Sequence, residues 1–245
     1  SMCLFTKGEL VMRKLKQIWH KIKAIPFIGD NYEKLVGQKK IERKMQHQQE
    51  EIQNNGVKYL NLVENTMNTS GGLYYAYAGT LLGIVRDKKL IKWDLDIDFA
   101  VVITEDFSWS DLQKVMEKSG FRKIREFVFE GLVTEQTYQV DKLTIDFFGQ
   151  FYDGNKMIQY SYDKLDGVKY SSNSEYSVYL VTLPRVDKTK YIEADGVKVS
   201  VPYNAEEILA SIYNDDWRIP NPNWKSNSGK CSTLLKDKIA YQVVE

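Results

Sequence analysis

Cysteine and histidine are scarce in this sequence, with two of each among 245 residues. Cys3 and Cys231 are too few for a disulfide framework and are typical of a protein from a reducing compartment. A structural zinc site needs four Cys or His ligands at short spacing, whereas His20 and His47 both lie near the N-terminus. We therefore expect no zinc, and we expect no Ser-His-Asp or Cys-His hydrolase in the centre of the chain.

Long apolar runs, glycine-rich phosphate motifs and a dominant charge are also missing. No stretch approaches the 18 consecutive apolar residues of a membrane-spanning helix, and the N-terminus lacks the apolar core of a secretory signal, so we expect a cytoplasmic protein. Neither GxxxxGK[ST] nor GxGxxG occurs, which leaves P-loop and Rossmann folds without support. The net charge of +1 indicates no nucleic-acid partner. Carboxylates with a hard metal ion remain as the expected means of any chemistry.

Positive charge is concentrated in the N-terminal part of the chain. Residues 1–60 hold 12 Lys or Arg against 6 Asp or Glu, and the rest carries the opposite excess. A basic amphipathic helix that ends at Pro26 is predicted by apolar residues at helical spacing, namely Val11, Leu15, Ile18, Trp19 and Ile22. We therefore divide the chain into a basic helical arm over 1–55 and a larger domain over 56–245. The arm either attaches peripherally to an anionic membrane surface or packs on its own domain or a second subunit.

The remaining patterns predict helices first, then a short stretch in which strands and helices alternate, and then a region with several strands in a row. In chain order the expected elements are helices over 32–53 and 57–67 with a break at Asn54-Asn55-Gly56, a strand over 73–78, a helix over 80–86, a strand over 96–102, a helix over 111–118, strands within 121–151 and 157–201, and a helix over 205–213. This order indicates an α+β fold and not a doubly wound sheet.

Acidic and apolar residues alternate between Trp93 and Phe99. In a strand, Asp94, Asp96 and Asp98 would share one face. Like charges at this spacing raise one another's pKa unless a cation lies between them, and their carboxylates can bind one Mg²⁺ or a pair of ions about 3.5–4 Å apart. A solvated acidic edge is the alternative interpretation of the same pattern.

A phosphate-binding segment is predicted just before these acids. Gly79 and Thr80 stand where a strand gives way to a helix; the glycine allows close approach of a ligand, and Thr80 can cap the helix or bond a phosphate. Arg86 can offer a planar guanidinium to phosphate oxygens. Asp146 lies among apolar residues of a later strand, where a charge requires a partner. Taken singly these are an ordinary helix start and a surface arginine; together they favour a phosphate site beside a metal site.

These residues resemble the LicD family of the polymerase-β-like nucleotidyltransferase fold. The segment GTLLGIVR at 79–86, followed by IKWDLDID at 91–98, is similar to the family pattern G-T-L-L-G-x-x-R-H-x-G-F-I-P-W-D-D-D-I-D. The segment YNDDWRIP at 213–220 resembles the family's Y-G-x-D-W-x-x-P ending. Leu95 replaces the middle aspartate, and the loop between Arg86 and Trp93 departs from the pattern, which leaves the donor's head group open. The resemblance implies a mixed sheet flanked by helices.

The family includes bacterial phosphocholine transferases and is related to fukutin and the fukutin-related protein. The resemblance implies transfer of a phosphate-linked substituent, of phosphocholine or phospho-polyol type, from a CDP-activated donor. The acceptor would be a sugar hydroxyl of a cell-surface glycan of the capsule, teichoic acid or lipopolysaccharide type. A lipid-linked acceptor at the inner membrane face is one form that such a glycan takes during assembly. Alternatives from other classes are a nucleotidyltransferase that adds a nucleotide to a small molecule, and a non-catalytic member that binds a nucleotide or a glycan.

The resemblance also implies roles for particular residues. Mg²⁺ or Mn²⁺ would be held by Asp96, Asp98 and Asp146, with Asp146 as a ligand or as the acceptor of the hydroxyl proton, and Arg86 would neutralise phosphate charge. The candidate substrate and phosphate contacts are Gly79, Thr80, Asp94, Tyr213 and Trp217. Tyr213 and Trp217 either stack on a base or sugar or pack on the core, and Trp93 is interpreted as a core residue rather than a substrate platform.

Overall fold

The computed structural model describes residues 26–221 and 223–245, with side chains described from residue 39 onwards. The chain divides into two compact units, Ser1–His47 and Gln48–Glu245. The amphipathic helix predicted before Pro26 lies outside the described residues, and the predicted division at residue 55 stays a prediction. No helix among the described residues is long and apolar enough to cross a membrane.

Helices and strands alternate in the first half of the described chain, and strands predominate in the second half. The helices are α1 Pro26–Met67, α2 Ala78–Asp87, α3 Trp109–Lys118 and α4 Ala205–Tyr213. The strands are β1 Tyr74–Ala76, β2 Asp96–Ile103, β3 Arg122–Phe129, β4 Leu132–Val140, β5 Leu143–Asp153, β6 Lys156–Asp163, β7 Glu175–Pro184, β8 Thr189–Ala194, β9 Val197–Pro202 and β10 Ser232–Val244.

Eight of these strands form one mixed sheet in the order β1-β2-β5-β4-β3-β10-β7-β6. Because β5 also pairs with β6 through its second half, the strands from β5 round to β6 close into a ring, and β1 and β2 extend the sheet from β5. The β2–β5 pair is parallel, while the other pairs of this sheet are antiparallel; β8 and β9 form a separate hairpin. The predicted α+β class, with a mixed sheet flanked by helices, is confirmed.

Burial of the apolar face of β2 and β5 fixes the direction of their acidic residues. Ile97, Phe99 and Phe147 are fully buried, and the rings of Phe99 and Phe147 stack with centroids 5.9 Å apart. Residues on one strand alternate between faces, so Asp96 and Asp98 emerge on the opposite face. A shift of β2 by one residue would turn Asp96 and Asp98 into the core and turn Ile97 and Phe99 out of it, so this register is strongly favoured.

The predicted break at Asn54-Asn55-Gly56 is wrong, because α1 continues through it to Met67. The Asn55 side chain donates to the Glu51 carboxylate at 2.7 Å within the helix. A Cβ on Gly56 would lie 2.8 Å from Cδ1 of Leu90. The glycine therefore allows close packing on the segment that precedes β2, and tertiary contact outweighs its poor helix propensity.

Strand β10 is the element that the sequence patterns did not predict. It lies inside the sheet between β3 and β7, yet most of its side chains are exposed or half-buried. Its pairing with β7 shifts between Leu235 and Ile239, where the chain reads Lys-Asp-Lys. This β-bulge places three charged residues outside the ladder. The bulge interrupts the alternation of apolar and polar residues, so the sequence pattern does not mark the strand.

Candidate active site

Three carboxylates meet where β2 and β5 run side by side. Asp98 stands opposite Asp146 in the parallel register, and Asp96 lies two residues earlier on the same face of β2. One carboxylate oxygen from each of the three lies within 4.8 Å of the others. Hard divalent cations prefer such oxygen ligands, so the donor set fits a Mg²⁺ or Mn²⁺ ion. The structure brings together the three residues predicted from the sequence as metal ligands.

The surroundings of Asp96 and Asp98 oppose their ionisation while no cation is bound. Burial, with the charges of Asp146 and Asp94, raises the pKa of Asp96 to about 8, and Arg125 lowers it. Burial, followed by Asp96 and Asp146, raises the pKa of Asp98 well above its ordinary value. A divalent cation reverses this preference because it favours the charged carboxylates, so metal binding would release protons.

Two hydrogen bonds hold one oxygen of Asp146. The Thr137 hydroxyl and the Arg125 Nη2 both donate to Oδ1 of Asp146, the arginine at 3.4 Å. The Asp146 side chain therefore has a fixed rotation, and these two contacts leave its Oδ2 unused. Outer contacts of this kind orient a metal ligand and adjust its basicity.

Arg125 is also close to a buried carboxyl that the sequence reasoning missed. Glu135 lies 4.0 Å from the Arg125 guanidinium and is 5% exposed; burial and then Asp146 raise its pKa to about 8. Arg125 and Thr137 were missed as well. The available signal was the requirement of Asp146 for a partner, which we assigned to a metal alone, whereas strands β3 and β4 supply a second one.

Thr80 does not cap α2 as predicted. The N-cap residue is Tyr77, without a side-chain cap, and Thr80 is 1% exposed inside the first turn. Its hydroxyl accepts the backbone N–H of Asp98 at 2.9 Å. This contact ties α2 to the strand at the residue that carries the central carboxylate, so Thr80 positions Asp98; contact of Thr80 with a phosphate stays a prediction.

Asp94 precedes β2, so its predicted place on the strand is wrong, although it lines the same cavity as Asp96 and Asp98. Its backbone N–H closes a turn on the Ile91 carbonyl at 3.1 Å. The carboxylate rests against the start of α2: a Cβ on Gly79 would lie only 2.4 Å from Asp94 Oδ2. Burial raises the pKa of Asp94 to about 6. The glycine gives close approach, as predicted, but the group that approaches is Asp94.

The three metal-ligand candidates, with Gly79 and Asp94, line an open cavity of about 420 Å³. Arg86 lines a neighbouring cavity of about 160 Å³. Its side chain is 9% exposed, and its Nε and Nη2 donate to the Asp87 carboxylate at 3.0 and 2.8 Å. Arg86 therefore does not line the cavity of the acids, and its direct action on a metal-bound phosphate stays a prediction.

The aromatic candidates are placed differently from one another. Trp217 is 4% exposed and belongs to the core, with the Arg218 guanidinium over its ring at 4.2 Å. Tyr213 lines both cavities. Trp93 is 52% exposed and also lines both, so its interpretation as a core residue is wrong. Trp224, which the sequence reasoning did not select, lines both as well.

Comparison with known proteins identifies the family of the chain. Residues 72–204 match the family described as LicD/FKTN/FKRP, nucleotidyltransferase domain. No curated protein sequence matches the chain. Among solved structures, ANT(2")-Ia in complex with adenylyl-2"-tobramycin is similar with a TM-score of 0.41 and 12% identity, over 70% of this chain and 82% of that one.

Proposed function

Since the chain belongs to the LicD family, we propose that it transfers a phosphate-linked substituent from a CDP-activated donor to a sugar hydroxyl of a cell-surface glycan. The substituent is of the phosphocholine or phospho-polyol type. Family membership indicates a transferase; the donor, the acceptor and the metal dependence are the parts that we propose.

One observation carries the proposal: the carboxylate oxygens of Asp96, Asp98 and Asp146 that lie within 4.8 Å of one another. Phosphoryl transfer depends mainly on positioning and on neutralisation of phosphate charge. A bound Mg²⁺ or Mn²⁺ would supply that neutralisation. The three carboxylates would hold the ion, and the strands behind them fix their positions before the donor arrives.

The residues around the ion would orient the donor and receive a proton. The acceptor hydroxyl oxygen forms a bond to phosphorus, the bond from that phosphorus to the CMP oxygen breaks, and the hydroxyl proton passes to a carboxylate. Oδ2 of Asp146, which Thr137 and Arg125 leave free, would either bind the ion or accept this proton. Anions are stabilised at the N-terminus of a helix, and the Asp94 carboxylate lies against the start of α2 beside Gly79.

We further propose that the acceptor is carried on a lipid at the cytoplasmic face of the membrane. The basic segment before residue 26 would bring the enzyme to that surface, by attachment through charge and a limited apolar face. Packing of the same segment on a second subunit is the competing arrangement, and we propose no nucleic-acid partner.

Release of CMP tests the proposed reaction. CDP-choline, CDP-glycerol and CDP-ribitol are each incubated with the protein, a sugar acceptor and Mg²⁺, and one of them is expected to release CMP. Chelation of the metal and the variant Asp98→Asn should each abolish the release, while the variant keeps a cooperative thermal transition. An acceptor that retains the CMP would instead identify a nucleotidyltransferase and refute the proposed reaction.

A further inference from the structure

An exposed tryptophan lies on a turn that three hydrogen bonds hold in place. Trp93 is 52% exposed. The Gln49 side chain donates to the Trp93 carbonyl at 3.2 Å, and the Gln53 side chain donates to the Lys92 carbonyl at 3.0 Å. With the turn from Ile91 to Asp94 closed by its own hydrogen bond, the backbone presents the indole to solvent. A large apolar ring in water is unfavourable, but single exposed apolar residues are common, so the role of this ring depends on the residues around it.

Trp93 lies at the boundary that the two cavities of the candidate active site share. The residues that line both cavities are Leu82, Ile91, Trp93, Tyr213, Asn221 and Trp224. Half of them are aromatic, and the rings of Tyr213 and Trp224 lie 5.2 Å apart at an angle of 57°. We call Trp93, Tyr213 and Trp224 the aromatic wall.

The aromatic wall lies between the acids and Arg86. Both lie near the phenol of Tyr213: burial and the charges of Asp98, Asp94 and Asp96 raise its pKa, while Arg86 lowers it. Because Tyr213 lines both cavities, a ligand whose phosphates reach the acids in the larger cavity can extend along it into the smaller one. That cavity, at about 160 Å³, is suited to one end of such a ligand.

The lining of the smaller cavity distinguishes between the possible ends. Arg86, Asn214, Asp216 and Asn221 line it beside the aromatic wall. The Asp87 pair uses Nε and Nη2 of Arg86 and leaves Nη1 outside it. Amides and a guanidinium match the carbonyl and ring nitrogen of a pyrimidine edge, and the Asp216 carboxylate can accept from an exocyclic amine. A quaternary ammonium has no hydrogen-bond donor or acceptor for these groups, and a polyol offers no flat face to the indole.

We propose that the aromatic wall stacks against the pyrimidine base of the nucleotide donor, with the base edge in the Arg86 cavity and the phosphates beside Asp96, Asp98 and Asp146. The inference rests on the proposed function in taking the donor to be a nucleotide. It assigns specificity for the activated donor to Trp93 and Trp224 and places the transferred head group on the open side of the larger cavity.

Calorimetric titration with Mg²⁺ present tests this assignment. CMP carries the base, pyrophosphate carries phosphates alone, and phosphocholine carries a cationic head group. Trp93→Ala should weaken CMP binding about five- to a hundred-fold, the range found for base–aromatic stacking, and leave pyrophosphate binding unchanged. Trp93→Phe should recover most of the CMP affinity. Tyr241→Ala, which removes a ring with similar exposure from a position that lines neither cavity, should change neither.

Three other outcomes overturn the assignment, and a fourth separates it from the proposed reaction. Equal loss of CMP and pyrophosphate would make Trp93 a support for the acids, and a selective loss of phosphocholine would give the wall to the head group. Wild-type protein that binds pyrophosphate but not CMP would refute the base site and leave the metal site intact. If CMP binds and Trp93→Ala weakens it, yet no CDP donor is turned over, the base site stands and the proposed reaction fails.

Discussion

Replacement of Asp96 by asparagine should stabilise the metal-free protein and remove its stabilisation by Mg²⁺. The pKa of Asp96 is raised from 3.8 to about 8, first by burial and then by Asp146 and Asp94. A carboxyl with a raised pKa favours folding least where it should ionise, so it destabilises the folded state progressively as the pH rises from about 4 to about 8. Roughly three quarters of the penalty is then present at pH 7.

The magnitude follows from the difference between that pKa and the ordinary one. One pKa unit corresponds to about 1.4 kcal/mol, so holding the proton from pH 3.8 up to pH 7 would cost roughly 4 kcal/mol. Asp96 is half-buried and lines an open cavity, and solvent screening reduces the value, so we expect about 2 kcal/mol. Asparagine has a similar shape and no charge, and it removes this penalty together with a metal ligand.

Urea unfolding at pH 7, with chelator and with Mg²⁺, measures both effects. In chelator, Asp96→Asn should unfold at a higher urea concentration than wild type. A ligand that binds only the folded protein stabilises it according to its concentration over Kd, so Mg²⁺ should stabilise wild type and leave the variant unchanged. A variant less stable in chelator would refute the electrostatic argument, and equal stabilisation of both by Mg²⁺ would refute the role of Asp96 as a ligand.

Three further predictions concern other parts of the molecule. Burial raises the pKa of Glu64 to about 7, although hydrogen bonds from Ser200 and Tyr74 lower it. Glu64→Gln should therefore be more stable than wild type by roughly 3 kcal/mol above pH 7 and equally stable below about pH 4.5. A difference in urea unfolding that does not change with pH would contradict this. Thr137→Val removes the hydroxyl on Asp146 and should weaken Mg²⁺ binding about 10- to 100-fold by calorimetry, and unchanged affinity would make that bond incidental. Deletion of residues 1–30 should reduce co-sedimentation with anionic vesicles, most clearly at low salt, because each basic residue at such a surface contributes about 1 kcal/mol; loss of folding or of an oligomer would show a structural segment.

The acidic face of β2 was predictable because burial has a period of two in a strand. Ile97 and Phe99 require the core, and Asp96 and Asp98 must then point away from it. Asp146 was predictable for a related reason, as a lone charge between buried residues. Periodicity does not mark where a strand begins, however. Asp94 fits the alternation but lies in the turn before β2, where its carboxylate meets the start of α2.

Contacts between distant segments account for what the sequence did not reveal. Arg125 and Thr137 reach Asp146 only through the registers of β3, β4 and β5, which no local pattern encodes. Strand β10 pairs with β3, more than a hundred residues earlier in the chain. Trp93 is exposed because Gln49 and Gln53, on a helix that precedes it by some forty residues, hold its turn. In each case the tertiary partner determines the position of the side chain, and propensity does not.

The charge balance around Asp146 favours a metal site over a structural ion pair. Five buried or half-buried carboxyls influence one another, those of Asp94, Asp96, Asp98, Glu135 and Asp146. Arg125 is the cation that the described residues pair with two of them, Asp146 and Glu135. One guanidinium cannot neutralise five carboxylates. A network kept for stability would pair its charges or replace them with apolar residues. Buried acids such as Asp96 and Asp98, whose pKa values burial raises and whose charged form a divalent cation would favour, are instead the arrangement expected of a functional site.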